Sequence, residues 1–290
     1  MAYRWLRIWT WLNRFGTLRR ANHAFADAPA GATVRRRLFG SEMELDVSRS
    51  SAQQLLWLEG ERFVDERFLL QRLLRRGMTV VDVGANIGYY LLLAEQVVGA
   101  GGQVICIEPS NENLPELRRN IGINGFSNVT LHAVALGDHE GQTGLQTGIN
   151  SGIVEGAEGP YTVPLRRLDQ VVSGRVDFLK IDVEGYEGQV LAGAESMLAA
   201  HKPLLFLELH PHIVGRFGYS TSGILADLKR HYSRVALYEK QPSAAQSIFD
   251  KIAIRYFGRD PLQRIADSAA YVAQYDRGDR EHTFWAVCEA

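Results

Sequence analysis

The most regular pattern along the chain is an alternation of short apolar runs and amphipathic stretches in its middle part. The apolar runs have the length of strands, and the stretches between them repeat their apolar positions with helical spacing. The predicted strands cover residues 78–84, 103–109, 128–136, 176–185 and 202–210, and the predicted helices cover residues 87–99, 113–124 and 187–200. Such an alternation, with strands apolar on both faces, predicts a Rossmann-like α/β fold with a mostly parallel, doubly wound sheet.

The segment before this pattern predicts a hairpin and a helix. Residues 34–47 alternate apolar and polar positions around Gly40 and Ser41, which is typical of two antiparallel strands joined by a tight turn. Residues 53–75 repeat apolar positions with helical spacing and predict one helix, which Gly77 ends. We therefore expect an N-terminal cap of helix and hairpin on the α/β domain.

The last part of the chain predicts two further strands and an insertion. Residues 234–240 and 283–289 have the composition of strands. The insertion, near residues 241–281, is interpreted either as a helical cover over the substrate site or as peripheral packing. We expect two parts in the chain, an extension over residues 1–52 and a main domain over residues 53–290.

The first 20 residues combine aromatic and basic side chains. The apolar ones recur at roughly helical spacing, and arginines lie among them: Trp5, Trp9, Leu12, Phe15, Arg4, Arg7, Arg14, Arg19 and Arg20. Such a helix can lie on an anionic membrane surface, or it can pack on the domain or on a partner subunit. Both interpretations stay open, and packing is favoured because aromatic stripes usually serve it.

Composition and charge exclude several classes of function. The 290 residues are 46% hydrophobic, enough for a large core, and the formal net charge of -1 argues against a nucleic-acid partner. Two distant cysteines, Cys106 and Cys288, do not make a disulfide framework, so a reducing compartment is expected. No segment has the pattern of a membrane span or a secretory signal. We expect a cytoplasmic protein whose membrane contact, if present, is peripheral.

A glycine-containing turn follows the first apolar strand of the α/β pattern and opens a helix, which is the context of a nucleotide-binding loop. Gly84 and Gly88 allow a tight turn and a close approach of a ligand to the backbone. Asp82, at the strand end, can pair with the ammonium of an amino-acid-like ligand, directly or through water. Ala85 lies within the turn, and the amide of Asn86 offers both a donor and an acceptor. The turn therefore predicts a cofactor site.

The second strand of the pattern ends in Glu108, 20 residues after Gly88. A carboxylate in that place can accept hydrogen bonds from both hydroxyls of a ribose. A NAD-dependent oxidoreductase is the competing class of enzyme, but its loop reads G-x-G-x-x-G, whereas this chain reads G-x-N-x-G after an acid. An acid beside the turn suits a cationic cofactor without phosphates. In the structural alternative, Asp82 and Glu108 only cap the helices that follow them.

Several motifs occur together over roughly residues 53–212: DVGANIG, IEP, the pair Asn120 and Asn124 before Gly125, AVALGD, FLKIDVEGYEGQVLAGA and LFLELH. In this combination the sequence resembles the FkbM family of methyltransferases. The resemblance implies a class I methyltransferase fold, S-adenosylmethionine as methyl donor, and usually O-methylation of a sugar, glycan or polyketide-like hydroxyl. It also implies that Ala135, in AVALGD, belongs to the cofactor site. A binding module that lost catalysis is the non-enzymatic alternative, and the complete motifs argue against it.

A second group of polar residues follows the fourth and fifth strands of the pattern. Lys180, Asp182 and Glu184 lie at the end of one strand, and Glu208 and His210 lie at the end of the next. Ligands of open parallel sheets lie beyond the carboxyl ends of the strands, and alternate strand residues share a side. We therefore expect the three carboxylates and the histidine to converge on one pocket, with the lysine one strand period earlier.

Three interpretations of this group stay open. In the first, His210 or a carboxylate removes the proton of an acceptor hydroxyl. In the second, Asp182, Glu208 and His210 hold a divalent cation that polarises the hydroxyl. In the third, Lys180 and Glu184 form a structural ion pair and His210 is a surface loop residue. The sequence names neither the methyl acceptor nor the oligomeric state.

Two smaller features have alternative interpretations as well. Tyr89 and Tyr90 follow the glycine turn and either touch the cofactor or pack on a helix face. Residues 150–152 lie among glycines and suggest a mobile loop, which covers the substrate or is a surface excursion.

Overall fold

The structure is a computed structural model and describes residues 25, 27–60, 64–146, 152–154, 159–239, 262–276 and 283–290. Three predicted features lie wholly or largely outside this part of the chain: the helix within residues 1–20, the loop at residues 150–151 and most of the insertion at residues 241–281. Their interpretations stay predictions. Within the described residues, no helix combines the length and the apolar character needed to cross a bilayer.

The secondary structure of the described residues alternates strands and helices over most of the chain. The strands are β1 Thr33–Leu38, β2 Ser41–Asp46, β3 Thr79–Val83, β4 Gln103–Ile107, β5 Val129–His132, β6 Ala135–Leu136, β7 Gly141–Leu145, β8 Ile153–Val154, β9 Tyr161–Arg166, β10 Phe178–Ile181, β11 Leu204–Leu209, β12 Arg234–Glu239, β13 Gln263–Arg264 and β14 Phe284–Glu289. The helices are α1 Ser51–Glu59, α2 Val64–Leu73, α3 Tyr89–Val98, α4 Leu114–Asn124, α5 Leu168–Val171, α6 Glu187–Ala192, α7 Glu195–His201, α8 Pro211–Val214, α9 Thr221–His231 and α10 Ser268–Asp276, with a 3-10 turn at Gly215–Phe217.

The main sheet has eight strands in the order β13-β12-β14-β11-β10-β3-β4-β5. Strands β11, β10, β3, β4 and β5 run parallel, and β14 runs antiparallel between β11 and β12. The strand order reverses between β3 and β10, because the chain continues from β3 to one side of the sheet and from β10 to the other. The predicted Rossmann-like, doubly wound fold is confirmed, and ligands of such sheets bind at this reversal.

A smaller sheet, in the order β6-β9-β7-β8, branches off after β5. The sequence predicted one strand over residues 128–136, and this prediction was wrong. β5 pairs with β4 in the main sheet, whereas β6 pairs with β9 in the smaller one. The apolar run is continuous because the residues of both β5 and β6 pack against apolar side chains. The hydrophobic pattern therefore does not show where the chain passes from one sheet to the other.

Two predicted helices are divided in the structure. The helix expected over residues 53–75 is α1 and α2, because Gly60, at a φ of 75°, ends α1 and donates its N–H to the Leu56 carbonyl. The helix expected over residues 187–200 is α6 and α7. A Cβ on Gly193, at their junction, would overlap the carbonyl oxygen of Gly137, so the backbones touch there. Glycine thus acts at both junctions, once through its conformation and once through its size.

The main sheet separates two apolar layers. Val81 and Val83 of β3 face one layer and Val80 faces the other, as strand alternation requires. The layer on the side of Val80 also contains Met43 and Leu45 of the hairpin. The hairpin therefore shares a hydrophobic core with the α/β domain.

The predicted hairpin is confirmed as β1 and β2, which turn at Phe39 and Gly40 with φ of 52° and 87°. Two asparagines of α4 bind the backbone of β2. The Asn120 amide accepts from the Glu44 N–H at 2.8 Å and donates to the Glu44 carbonyl at 3.3 Å. The Asn124 amide makes the same pair of bonds to Glu42, both at 2.8 Å. These amides satisfy backbone groups of β2 that no strand pairs, and they dock the hairpin on the domain.

Candidate active site

A cleft of about 850 Å³, partly open to solvent, lies beyond the carboxyl ends of β3, β4 and β10. The predicted cofactor residues that line it are Gly84, Ala85, Asn86, Glu108 and Ala135. Asp182 and Glu184 line the same cleft, together with Tyr89 and Tyr90. One cavity therefore joins the predicted cofactor turn to two residues of the predicted chemical site.

The turn after β3 is as tight as the sequence predicts. Gly84 and Asn86 have φ of 79° and 51°, and Gly88 has a φ of 97°. A Cβ on Gly84 would overlap the carbonyl oxygen of Asp182, which is the backbone of the neighbouring strand end. The close backbone approach at Gly84 is therefore one between β3 and β10. Gly88 does not line the cleft, because it packs against the side chain of Leu117.

Glu108 is fixed by the turn that it faces. One carboxylate oxygen accepts from the Asn86 N–H at 2.8 Å, and the other accepts from the Ser110 N–H at 2.9 Å and the Asn113 amide at 3.3 Å. Burial raises the pKa of Glu108, and these hydrogen bonds offset the rise only in part. Each carboxylate oxygen can accept more than one hydrogen bond, so this side chain can still bind hydroxyl groups in the cleft.

Lys180 and Asp82 form a buried ion pair across β10 and β3, where the sheet register sets them side by side. The distance from Lys180 Nζ to Asp82 Oδ1 is 3.0 Å, and Nζ lies 3.9 Å from Asp182 Oδ2 and 4.6 Å from the centre of the Tyr90 ring. Burial lowers the pKa of Lys180, but the two carboxylates outweigh burial and raise it overall. Lys180 therefore stays charged inside the protein.

This ion pair corrects two expectations. Asp82 was expected to bind a ligand ammonium, but it is buried, its Oδ1 accepts a hydrogen bond from Lys180 Nζ, and it does not line the cleft. Lys180 was a candidate for the chemistry, or for an ion pair with Glu184, but it is buried beside Asp82 instead. The sequence pattern missed this arrangement because only the strand register shows that the two residues are neighbours.

His210 lies among carboxylates, but the expected convergence on one pocket was only partly right, because neither His210 nor Glu208 lines the cleft. Its Nδ1 is 2.6 Å from Glu187 Oε1, and its Nε2 is 3.3 Å from Glu184 Oε2 and 3.8 Å from Glu208 Oε1. Its side chain is 5% exposed, which contradicts the alternative of a surface loop residue. Burial lowers the pKa of His210, but the hydrogen bond with Glu187 and the surrounding carboxylates raise it to about 9. His210 is therefore an imidazolium at neutral pH.

Glu184 reaches His210 because the chain turns sharply after β10. Glu184 and Gly185 both have positive φ, 51° and 101°, and a Cβ on Gly185 would press on the side chain of Ile213. The turn leaves the Glu184 side chain 29% exposed in the cleft while its Oε2 contacts the imidazole. Burial raises the pKa of Glu184, and the charge of His210 lowers it by less. Glu184 thus connects the cleft to the buried histidine.

Glu187 belongs to this cluster, although the sequence pattern identified it only as the possible start of a helix. It does begin α6, but its side chain is fully buried. Its Oε1 accepts hydrogen bonds from His210 Nδ1 and, at 3.0 Å, from the Gly185 N–H. The sequence contained a signal for this contact. Gly185 can turn the chain back after Glu184, and such a turn brings the acid at position 187 towards the same site.

The alternative of a divalent cation depends on Asp182, Glu208 and His210. One potential ligand atom of each residue lies within 4.8 Å of the others. Lys180 Nζ and the imidazolium already supply positive charge to these carboxylates. A cation would also have to displace a proton from His210. Among the described side chains, Lys180 and His210 are the positive partners of this carboxylate cluster.

Comparisons with family profiles, curated proteins and solved structures show what the chain is similar to. The family profile described as the methyltransferase FkbM domain matches residues 82–235. The structure of methyltransferase FkbM from Methylobacillus flagellatus KT is 21% identical, with 68% of this chain and 52% of that chain covered and a TM-score of 0.43. This chain thus spans about half the length of the Methylobacillus protein. No curated protein matches the chain.

Two other solved structures show lower identity. A SAM-dependent O-methyltransferase from Thermotoga maritima is 14% identical, with 93% of this chain and 81% of that chain covered and a TM-score of 0.41. The TYW2 protein from M. jannaschii, in complex with AdoMet, is 15% identical, with 74% and 81% covered and a TM-score of 0.43. Because the family profile covers more than half of the 290 residues, the chain belongs to the FkbM family of methyltransferases, as its motifs predicted.

Proposed function

We propose that this chain transfers a methyl group from S-adenosylmethionine to a hydroxyl of a carbohydrate, glycan or related natural product. One observation carries the proposal: the Gly84 turn and Glu108 share a cleft with the carboxylates of Asp182 and Glu184. Methyl transfer is an in-line displacement, so the donor and the acceptor oxygen have to meet in one pocket. The choice of a carbohydrate-like acceptor rests on the family resemblance.

The residues of the cleft fit S-adenosylmethionine. The cleft combines a tight backbone turn, a buried carboxylate and apolar side chains, as small-molecule sites do. Glu108 offers the ribose hydroxyls a carboxylate that backbone N–H groups hold in place. Asp182 favours the positive charge of the ammonium group and takes the role first expected of Asp82, whereas Glu184 favours the sulfonium, which S-adenosylhomocysteine lacks. The same two acids oppose the pyrophosphate of NAD, so methyl transfer is favoured over hydride transfer.

The reaction requires a group that takes the proton of the acceptor hydroxyl. When bound, S-adenosylmethionine supplies an electrophilic methyl group on a positively charged sulfur. Glu184 would accept the hydroxyl proton while the hydroxyl oxygen forms its bond to the methyl carbon and the bond from that carbon to sulfur breaks, which leaves S-adenosylhomocysteine. Its pKa, which burial raises, makes it a stronger base than an ordinary carboxylate. The His210 imidazolium keeps Glu184 ionised and oriented before transfer.

We assign the base to Glu184 because His210 carries a proton on both ring nitrogens at neutral pH and does not line the cleft. The cation alternative makes the opposite prediction for a chelator. We expect full activity in the presence of a chelator, whereas a metal-dependent enzyme would lose activity and regain it with Mg²⁺ or Mn²⁺.

Cofactor binding is tested by titration calorimetry with S-adenosylhomocysteine and with NAD. We expect the first to bind and the second not to bind. Glu108→Ala should weaken binding of S-adenosylhomocysteine by about 1–3 kcal/mol, because hydrogen bonds to a charged group are lost. Glu140→Ala, an exposed acid outside the cleft, is the matched control and should bind as the unmodified protein does. Tight NAD binding without a response to S-adenosylhomocysteine would contradict the proposal.

Transfer is tested with methyl-labelled S-adenosylmethionine and a glycan or metabolite extract as the source of acceptor. Glu184→Gln should lower the initial rate about 10²–10⁴-fold, the range of a lost general base. Its affinity for S-adenosylhomocysteine should change little, because Glu184 would face the acceptor. A fully active Glu184→Gln variant would show that Glu184 is not the base. Asp182 would then be the next candidate, and Asp182→Asn would test it.

A further inference from the structure

The pair of Glu187 and His210 is buried, and removing its charges from water is costly for the fold. Glu187 is 0% exposed, and its Oε2 has no hydrogen-bond partner among the described residues. Buried ion pairs contribute little net stability, because desolvation of the charges consumes most of the Coulombic gain. A carboxylate with one unsatisfied oxygen therefore suggests a role other than stabilising the fold.

The geometry of the pair determines which ring nitrogen of His210 faces Glu184. Glu187 Oε1 lies 2.6 Å from Nδ1, so this ring nitrogen carries a proton and the opposite nitrogen, Nε2, points at Glu184. The Gly185 N–H donates to the same Oε1 at 3.0 Å. Glu187 is thus attached both to the histidine and to the turn that carries Glu184.

We propose that Glu187 is a positioning residue of the methyl-transfer reaction, which acts through His210 to hold Glu184 ready for the acceptor hydroxyl. This inference rests on the proposed function of Glu184. Glu187 begins α6, whereas His210 follows β11 and Glu184 follows β10. One carboxylate therefore sets the relative position of three separate parts of the chain. It touches neither donor nor acceptor, because it does not line the cleft.

The test compares Glu187→Gln with Glu66→Gln. Glutamine keeps the shape and an acceptor oxygen but removes the charge, and Glu66, on α2, is an equally buried glutamate away from the cleft. The measurements are the initial rate of labelled methyl transfer to the extract, the affinity for S-adenosylhomocysteine, and the proton NMR signal of the His210 imidazole. Its Nδ1 proton should resonate far downfield in the unmodified protein, as protons in short hydrogen bonds to carboxylates do.

We expect Glu187→Gln to lower the rate about 10- to 100-fold, a typical effect of weakening a hydrogen bond to a charged group. It should leave the affinity for S-adenosylhomocysteine within about twofold and remove the downfield signal, whereas Glu66→Gln should change none of the three. Glu187→Asp keeps the charge but shortens the reach, and it should lower the rate by less than the glutamine. It provides the test if the glutamine variant does not fold.

The two proposals fail in different ways. If the unmodified protein neither binds S-adenosylhomocysteine nor transfers label, the proposed function is wrong and this inference falls with it. If the unmodified protein is active and Glu187→Gln and Glu187→Asp are as active as Glu66→Gln, only the role of Glu187 is overturned. A loss of rate with the downfield signal intact would also overturn it, because the effect would then not pass through His210.

Discussion

The pair of Lys180 and Asp82 offers the sharpest test of stability at the scale of single residues. Lys180→Met leaves the Asp82 carboxylate buried without its partner, and we expect the free energy of unfolding to fall by about 3–5 kcal/mol. Adding Asp82→Asn should recover much of that loss, since the uncompensated charge is gone. Urea denaturation followed by circular dichroism measures both variants.

Arg175 provides the matched control, because it pairs with Asp177 at 2.7 Å but is 85% exposed. Arg175→Met should change the free energy of unfolding by less than about 1 kcal/mol. A Lys180→Met variant as stable as Arg175→Met would show that the buried pair is not the structural contact proposed here. A stable variant that lost activity would return Lys180 to the catalytic candidates.

Gly84 is a second residue whose size matters. Gly84→Ala would place a Cβ against the Asp182 carbonyl at a positive φ, and we expect a loss of more than about 2 kcal/mol or failure to fold. Gly122→Ala, on the exposed face of α4 with no atom near its Cβ, should stabilise the protein by up to about 1 kcal/mol. Thermal unfolding compares them, and equal melting temperatures would contradict the backbone contact.

Sequence reasoning worked at this scale where spacing along the chain carried the information. The turn at Gly84 and Asn86 and the acid at Glu108 lie within one βαβ unit, so local pattern sufficed to place them together. Lys180 and Asp82 are 98 positions apart, and only the register of β10 on β3 makes them neighbours. A pattern along one strand does not contain that register.

At the scale of single elements, the contact between the hairpin and α4 can be tested by hydrogen exchange. Asn120→Ala should speed hydrogen exchange of the Glu44 amide, and Asn124→Ala should speed exchange of the Glu42 amide, because each asparagine accepts from one of them. Each variant serves as the control for the other. Because Asn120 is buried, Asn120→Ala should also lower the free energy of unfolding by about 1–3 kcal/mol, since the substitution leaves backbone groups of β2 without partners.

Mass spectrometry of exchanged peptides, or NMR, resolves the two amides. Exchange that rises equally at both positions in both variants would mean that the hairpin detaches as a unit. No change in either variant would mean that the amides are protected by something other than the asparagine side chains.

Errors at the scale of elements occurred where the chain changes direction without changing its hydrophobic pattern. The run over residues 128–136 is apolar throughout and yet serves two sheets. The helix expected over residues 53–75 breaks at Gly60. Glycine occurs both inside helices and at their ends, so the pattern alone did not show that the helix ends there. By contrast, Phe39 and Gly40 turn the hairpin within one residue of the predicted place, because strand alternation fixes the register.

Stability of the whole molecule should depend on pH through His210. Its pKa in the folded protein is about 9 against 6.5 in a free side chain, so its stabilising effect is complete below pH 6.5 and is lost as the pH rises through 9. We expect the free energy of unfolding to fall across this window on the order of 3 kcal/mol more in the unmodified protein than in His210→Gln.

His139→Gln supplies the control for the pH measurement, because His139 is an exposed surface histidine. Between pH 6.5 and pH 9.5, the free energy of unfolding of the His139→Gln variant should change by the same amount as that of the unmodified protein. If His210→Gln shows the same pH dependence as the unmodified protein, the imidazolium is not what stabilises the carboxylate cluster.

The fold class followed from the sequence because it depends on a repeated pattern, in which strands that are apolar on both faces alternate with helices. The carboxyl ends of such strands then had to carry the site, which predicted the neighbourhood of Asp182, Glu184, Glu208 and His210. The orientation of the individual side chains did not follow. Whether Glu184 or His210 faces the cleft depends on the turn at Gly185, whose positive φ no hydrophobic pattern encodes.

The position of β14 has a consequence for the order in which the molecule can assemble. Within the main sheet β12 is separated from β11 by β14, which follows it by more than forty residues. β12 therefore has no connection to the parallel strands of the main sheet until β14 lies between it and β11. Until then β11 presents an open hydrogen-bonding edge, a template for pairing with other chains. The six residues of β14 thus cover an edge of β11 that would otherwise be open to pairing with other chains during folding.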